Sequence, residues 1–581
     1  MRNYPGTLDE HVIYHEKFPE QEYDPLGIPY GIQIDYDKPF LDTTGQKRSV
    51  LVYRPSTLTP FLLAKAMIIL CDHIDKTGIE HVMEEAGLIY LAERDKTFLV
   101  FALPSAFGWN STSDSQKPDD VSVISHLMEA LREGFLFPGR EKCISYYIGM
   151  IGIGLGAEMA HVTSAVHPEF TSCLLSFDGN ISRSMLSKGS QDAQKFVWLV
   201  NAHGDAEKHW IKVNDLESVE EILFGDIVIR RDALNHGKQV WTTENGKPGV
   251  NAGFVHRFWD SAFNRIVRVP GVGNGRVVSC SQIMDQYHPC IHKMDRSLGD
   301  NDGIAHNWLE FIPESVSKHR FQKGFLCPLI IFMHGGGCTP DSEIAVSSAH
   351  ELGETEEFIT VYPNASSRNS WNSTLLKERY SDVEFIVALI DYMIRNYPVN
   401  PMKVYLSGFS NGSGMSHVIA ALRPDLIAGI IAFNTRYPIE DIIYEKAKKA
   451  KQNFDYRMPV FSTYGTLDAE YPMRPGCGQY KQMNFWKWFN NIEPLELNPS
   501  DPSGVGAPGD EIETWGPLGQ AGEPIFTTHK YFCRDSERVN YFNYTIIEGL
   551  PHAVENRVMN KAWRFISRFS RMQDGSLQIE G

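Results

Sequence analysis

At 581 residues the chain is too long for one ordinary core, and 42% hydrophobic, 22% charged and 12% aromatic residues are the make-up of a soluble globular protein of roughly two to four domains. Its formal net charge of −17, with no Lys/Arg cluster to offset it, argues against nucleic acid or an anionic membrane as partner, because attraction to phosphate needs a basic face. No apolar run approaches the ~20 residues of a membrane span, and nine scattered cysteines without a CxxC pair offer neither a disulfide framework nor a metal site.

The chain opens on a polar, acidic arm, residues 1–46, that lacks the apolar core of a secretory signal. A reduced cytoplasmic location is expected, with secretion only if an export signal has been removed. Short continuous apolar runs then read as strands: "SVLVYRP" (49–55), "AMIILCD" (66–72), "TFLVFALP" (97–104), "FVWLVNAHG" (196–204) and "RIVRVPG" (265–271). In the second half the strand-like runs are "WLEFIP" (308–313), "PLIIFMH" (328–334), "EFITVYP" (357–363), "KVYLSG" (403–408), "LIAGIIAF" (426–433), "MPVFSTYG" (458–465) and "FNYTIIEG" (542–549). Between them "SDVEFIVALIDYMIRNY" places apolar residues at 383, 385, 386, 389, 390 and 393, which is helical spacing, and "GMSHVIAALR" reads as a second helix. Buried strands alternating with helices predict an α/β fold in each half, a doubly wound and mostly parallel sheet covered on both faces.

The halves echo one another in order. "GWNST" (108–112) returns as "SWNST" (370–374), "DDVSVISHLMEAL" (119–131) as "SDVEFIVALIDYM" (381–393), and "YYIGMIGIGLG" (146–156) as "VYLSGFSNGSG" (404–414). "GDAE" (204–207) resembles "GTLDAE" (465–470), and "PGVGNGRV" (270–277) resembles "EGLPHAVENRV" (548–558). The first four echoes sit 258 to 263 residues apart and the last 278, so a duplicated domain is expected, with a later gain of length in the second copy.

The second copy carries chemistry. Gly408-Phe409-Ser410-Asn411-Gly412 fits G-x-S-x-G between a strand and a helix, the setting in which a sharp turn lifts a serine into a site and the flanking positions must be small. "MHGGGCT" (333–339) follows a buried strand, and its glycines leave N–H groups free for a substrate oxygen. Gly336 and Gly337, with the N–H of Asn411, are the candidate oxyanion donors, and His334 shapes this loop rather than moving protons. A serine hydroxyl needs a base, and the base an orienting acid. Asp468 follows the strand "PVFSTYG" and His552 the strand "NYTIIEG", so both fall at the carboxyl edge beside Ser410. Glu470 and His529 compete for these roles but are worse placed.

On these residues the second half resembles the polyhydroxybutyrate depolymerase and feruloyl-esterase branch of the α/β-hydrolases. The resemblance is carried by "PLIIFMHGGG", "SDVEFIVALIDYMIRNYPVNPMKVYLSGFSNGSGMS", "STYGTLD" and "IIEGLPHA", and spans about residues 305–570. It implies a Ser-His-Asp carboxylic-ester hydrolase that needs no metal or cofactor, with nucleophile, acid and base at Ser410, Asp468 and His552. The chain departs from the family at "HAVENR" after the histidine, where Trp-Pro is frequent, and lacks polymer-binding modules. A small-molecule ester or an oligomer, rather than an insoluble polyester, is the expected substrate.

The stretch 472–527 separates acid from base. Its aromatic run "MNFWKWFNNIEP" and the Pro/Gly-rich segment after it predict a lid or pocket wall. Trp486 and Trp488 are candidate substrate contacts, with packing inside a helix as the alternative. Trp371 is a third candidate, its counterpart Trp109 favouring a structural role. In the first copy Gly152 aligns with Ser410, "CDHI" (71–74) with "MHGG", and Asn274 falls near His552, leaving Asp205 as an orphan acid. G-x-G-x-G at 152–156 is explained by the repeat better than by a dinucleotide loop. The expected layout is an arm (1–46), a degenerate hydrolase-like domain (47–290) that packs against the catalytic domain, shapes its entrance or mediates a homo-oligomer, and a catalytic domain (291–581). Two rivals stay open: a peptidase or amidase using the same residues, and a non-catalytic binding or scaffold protein.

Overall fold

The computed structural model describes residues 31–34, 40–41, 47–48, 50–58, 63–73, 75–112, 117–133, 142–181, 185, 189–190, 193–202, 204–298, 305–366, 370–377, 379–435, 439–469, 471–495, 509–516 and 523–580. The chain divides into two compact units, residues 1–269 with 274–282, and residues 270–273 with 283–581.

The first unit holds, in chain order, β1 (Gly31–Ile34), β2 (Phe40–Leu41), β3 (Lys47–Arg48), β4 (Val50–Arg54), β5 (Leu63–Leu70), β6 (Thr97–Ala102), β7 (Lys142–Ile153), β8 (Cys173–Phe177), β9 (Phe196–Val200), β10 (Ile222–Phe224), β11 (Ile227–Arg231), β12 (Gln239–Thr243), β13 (Ile266–Val269) and β14 (Arg276–Ser279). Ten form one sheet in the order β1-β4-β6-β5-β7-β8-β9-β12-β11-β10, parallel from β6 to β12 and antiparallel at both margins. The alternation of a strand decides which layer each residue joins. Val50, Val52, Ile68, Leu70 and Val100 pack into one core with Ile124, Leu127, Met159 and Trp210 from helices. Their neighbours Leu51, Tyr53, Met67, Ile69 and Leu99 pack into another with Val82, Leu91, Phe258 and Phe263. With both faces covered, the strands read as unbroken apolar runs.

The second unit repeats the plan with β15 (Ile291–Ser297), β16 (Ala305–Phe311), β17 (Cys327–Met333), β18 (Ile359–Pro363), β19 (Val399–Phe409), β20 (Gly429–Phe433), β21 (Val460–Gly465), β22 (Glu511–Trp515), β23 (Phe526–Phe532), β24 (Asn540–Ile547), β25 (Phe569–Arg571) and β26 (Leu577–Ile579). Its sheet runs β15-β16-β18-β17-β19-β20-β21-β24-β23-β22, the same order strand for strand. Each unit is thus an α/β-hydrolase-like doubly wound sheet.

Three features depart from the expectations drawn from sequence. Within the arm, β1 pairs with β4 and forms the sheet margin, so that part belongs to the first sheet. The strand at 266–269 lies outside the large sheet, paired only with β14. The counterpart of β24 in the repeat is β12, which lies beside β9 as β24 lies beside β21. A buried arginine fixes the alignment. Arg571 donates to the carbonyls of Ile427 (3.1 Å) and Gly575 (2.7 Å), and Arg268 to those of Thr171 and Asn274 (both 2.8 Å). Asn274 therefore matches Gly575, not His552, and the loop that corresponds to His552 is 244–251, "ENGKPGVN", which has no histidine.

The stretch 472–527 is also not a lid in its described part. The helix Gly478–Phe489 is a core helix, and β22 extends the sheet. Residues 496–508 and 517–522 lie outside the described residues. Among the described residues no helix is long and apolar enough to cross a membrane.

Candidate active site

β19 ends at Phe409 and a helix begins at Asn411, so a single residue makes the turn. That residue, Ser410, has φ 52 and ψ −113, a region that L-residues occupy only under constraint. Its N–H donates to the Phe433 carbonyl (2.9 Å), and its own carbonyl accepts from Gly414 (2.9 Å). The glycines around it are steric necessities. A Cβ on Gly408 would stand 2.5 Å from the Gly412 carbonyl carbon, and one on Gly412 only 2.2 Å from the Met333 oxygen.

Two loops at the same sheet edge are tied to each other. Thr466 N–H donates to the Ile547 carbonyl (3.0 Å), Leu467 N–H to Leu550 (3.0 Å), and Gly549 N–H to the Thr466 hydroxyl (2.8 Å). The Asn434 amide donates to the Pro551 carbonyl (3.1 Å), anchoring the second loop to the end of β20. This lacing carries Asp468 on one loop and His552 on the other.

Asp468 Oδ2 lies 2.6 Å from His552 Nδ1, and His552 Nε2 lies 2.9 Å from Ser410 Oγ. A carboxylate only accepts, so Nδ1 carries the proton and Nε2 is left to accept from the serine hydroxyl. The Asp468 side chain is fully buried and takes a further N–H from Ala469 (2.7 Å), whereas the imidazole is 28% exposed. Phe409 packs its ring 4.9 Å from that of His552. The competing His529 is buried on β23 with its Nδ1 accepting from Gly509, and Glu470 lies outside the described residues.

The glycine loop follows β17 and turns at Gly337, φ +76. His334 stands behind it, buried and pushed down to about 4 by burial, hence neutral. Its Nδ1–H donates to the Gly335 carbonyl (2.7 Å) and its Nε2 accepts from Ala365 N–H (3.1 Å). Gly336 is partly exposed and Gly337 buried. Asn411 opens the elbow helix, and the first N–H groups of a helix have no partner within it. Its side chain accepts from Trp371 N–H (2.6 Å), while the Trp371 indole donates to the His334 carbonyl (2.8 Å). Trp371 is thus a buried brace between elbow and glycine loop rather than a substrate contact. Trp486 is likewise fully buried, its indole donating to His417 Nδ1 (2.8 Å), and Trp488 packs against Tyr444 and Phe485. The packing alternative holds for both.

Two contributors escaped the sequence reading. Asp382 accepts from Asn372 N–H (2.7 Å) and Ser366 N–H (3.0 Å), holding the loop that contains Trp371. The repeat held that signal, since Asp120 accepts from Asn110 N–H (2.6 Å) in the first unit. Glu343, on the helix Pro340–Ser347 that follows the glycine loop, is fully buried with neither oxygen in a hydrogen bond of normal geometry. Burial pushes its carboxyl up to about 8, against a downward pull from the Gly335 backbone. The unfolded chain loses this proton near pH 4.5 and the folded one near 8, so stability is full below about 4.5 and falls as pH rises through 8. Glu343→Gln is expected to remove a slope of about 1.4 kcal/mol per pH unit between those values, read from denaturant melts of both proteins at pH 5 to 8.

In the first unit the elbow keeps its shape with glycine in place of serine. Gly154 has φ 61 and ψ −127, and its N–H donates to the Phe177 carbonyl as that of Ser410 does to Phe433. Gly154, not Gly152, is therefore the counterpart of Ser410. The helix that follows is capped by the chain itself: Asp72 accepts from Leu155 N–H and Gly156 N–H, both at 3.2 Å. A carboxylate thus caps the helix that corresponds to the one beginning at Asn411 in the second unit. Among the described residues no group of three or more His, Cys, Asp or Glu is placed to hold a metal ion.

Residues 376–496, which include Ser410 and Asp468, match the family model for Phospholipase/Carboxylesterase. Poly(3-hydroxyalkanoate) depolymerase C of Paucimonas lemoignei is 32% identical over 110 residues, 18% of this chain and 26% of that protein. The bifunctional acetylxylan esterase/xylanase XynS20E of Neocallimastix patriciarum is 23% identical over 263 residues, 44% of this chain and 32% of its own. The chain thus spans about a third or less of the length of these two relatives. Among solved structures, an acetyl xylan esterase from Aspergillus awamori aligns over 48% of this chain and 98% of its own at 16% identity, TM-score 0.35. The stretch that carries the elbow is therefore similar in sequence to the phospholipase and carboxylesterase family, on an α/β-hydrolase fold.

Proposed function

We propose that the second unit hydrolyses carboxylic esters through an acyl-enzyme on Ser410. The reading rests above all on the chain of hydrogen bonds Asp468–His552–Ser410 at a strained turn. His552 Nε2 takes the hydroxyl proton as Ser410 Oγ attacks the ester carbonyl. The N–H of Asn411 and those of Gly336 or Gly337 receive the oxyanion, each donor contributing roughly 3–4 kcal/mol. His552 then protonates the departing alcohol, and water repeats the sequence on the acyl-serine to release the acid. Asp468 holds the imidazole in one tautomer throughout. The relatives named for polyester and acetylxylan chemistry support a carboxylic ester as the substrate class, and an ester of a small molecule or an oligomer is proposed. The first unit, with glycine at its elbow, is proposed to be non-catalytic.

A panel of acetyl, aryl, feruloyl and 3-hydroxybutyryl esters with matching amides tests this. Turnover of at least one ester class, faster than its amide, is expected. Amide cleavage in preference to every ester would replace this reading by the peptidase one, and no labelling of folded protein by a fluorophosphonate would replace it by the binding one.

A further inference from the structure

Along the outer margin of the second sheet lies a groove of about 620 Å³, between β22–β24 and the helix Val558–Ile566, and Ser410 is not among the residues that line it. Five Lys or Arg side chains line it against two Glu, a local excess of positive charge in a chain of net charge −17. Three of the five are already matched. Lys530 and Lys561 pair with Glu513, and Arg557 with Glu555 and Glu523. Arg564 and Arg568 have no acidic partner among the described residues. Arg568 lies over the Phe565 and Phe569 rings (5.5 and 5.2 Å) and, among the described residues, donates to the Phe565 carbonyl (3.3 Å).

The floor gives the second requirement. Asn543 lines the groove, is 6% exposed, and its Oδ1 has no hydrogen-bond partner. That oxygen is sealed from the groove, and the amide turns its Nδ2 toward the groove, with no acceptor among the described residues, so it can donate to a ligand hydroxyl. Phe565 and the edge of Trp515, whose faces are covered by Phe526 and Lys561, add an apolar border suited to C–H groups.

We infer that this groove binds an acidic sugar, a ring bearing a carboxylate and hydroxyl groups. Arg564 and Arg568 take the carboxylate, and the Asn543 amide donates to a hydroxyl. The site stands apart from Ser410 and holds whether or not that serine is catalytic.

Calorimetric titration of the whole chain with D-glucuronate, D-glucose and inorganic phosphate tests the assignment. Glucuronate is expected to bind saturably and less tightly as salt rises, with no binding of glucose and weaker binding of phosphate. Arg564→Ala with Arg568→Ala, both exposed positions, should weaken glucuronate binding about tenfold or more. Lys448→Ala with Lys449→Ala, which removes the same charge from another surface helix, should leave it unchanged. Absence of saturable binding, equal loss in the two double variants, or phosphate binding as tight as glucuronate would each overturn the assignment.

Discussion

Ser410→Ala is expected to lower ester turnover by about 10⁴- to 10⁶-fold while the protein stays folded. The attacking oxygen is gone, and only oxyanion donors and substrate binding remain to lower the barrier. Fluorophosphonate labelling of the wild type should reach one group per chain, because the first unit has glycine at its elbow, and should vanish in the variant. Ser410→Gly separates chemistry from strain. It should be as inactive as the alanine variant but more stable than it by about 1 kcal/mol, because φ 52 with ψ −113 is a conformation that Gly154 adopts freely in the first unit. Chemical denaturation of the three proteins reads the difference. Turnover by Ser410→Ala at more than a hundredth of the wild-type rate would remove the serine from the mechanism.

Asp468→Asn carries the second large effect, a loss of about 10⁴ in kcat with little change in KM. The 2.6 Å contact to His552 Nδ1 is made by a carboxylate that is fully buried and can only accept. An amide in its place can donate, which favours the proton on Nε2, and Nε2 is then unable to take the proton of Ser410. Because the geometry around Ser410 is untouched, binding is spared and turnover is not. A comparison of kcat and KM on the best ester of the panel checks this split. A variant that kept more than a tenth of kcat would point to another acid, with Glu470 next to be replaced.

The sequence disclosed the order of strands and helices because each buried strand is a continuous apolar run, and it disclosed the candidate site because the elbow demands small residues at fixed positions. What it concealed was non-local. The aromatic run at 483–489 looked like a lid, yet Trp486 finds its hydrogen-bond partner in His417, 69 residues earlier, as Trp210 finds His161 in the first unit. The register of the first elbow slipped by two because the alignment followed the neighbouring runs, whereas G-x-G-x-G at 152–156 centres on Gly154, as its φ and its N–H bond to Phe177 agree. The strand "QVWTT" was passed over for "RIVRV", which is more apolar but pairs outside the large sheet. The carboxyl of Glu343 was invisible because nothing in its neighbouring sequence marks its burial.

The carboxylate of Asp72 has a historical consequence. A copy that had merely lost its serine could regain it by a single codon change. Here a carboxylate caps the helix after the elbow, so a serine at 154 would still face an occupied helix terminus, with no histidine in 244–251 to activate it. Each restoring substitution alone brings no advantage, and removing Asp72 first would leave the N–H groups it caps without their partner. The carboxylate thus opposes any gain of the proposed chemistry in the first unit, since its elbow, its helix cap and its 244–251 loop would all have to change together.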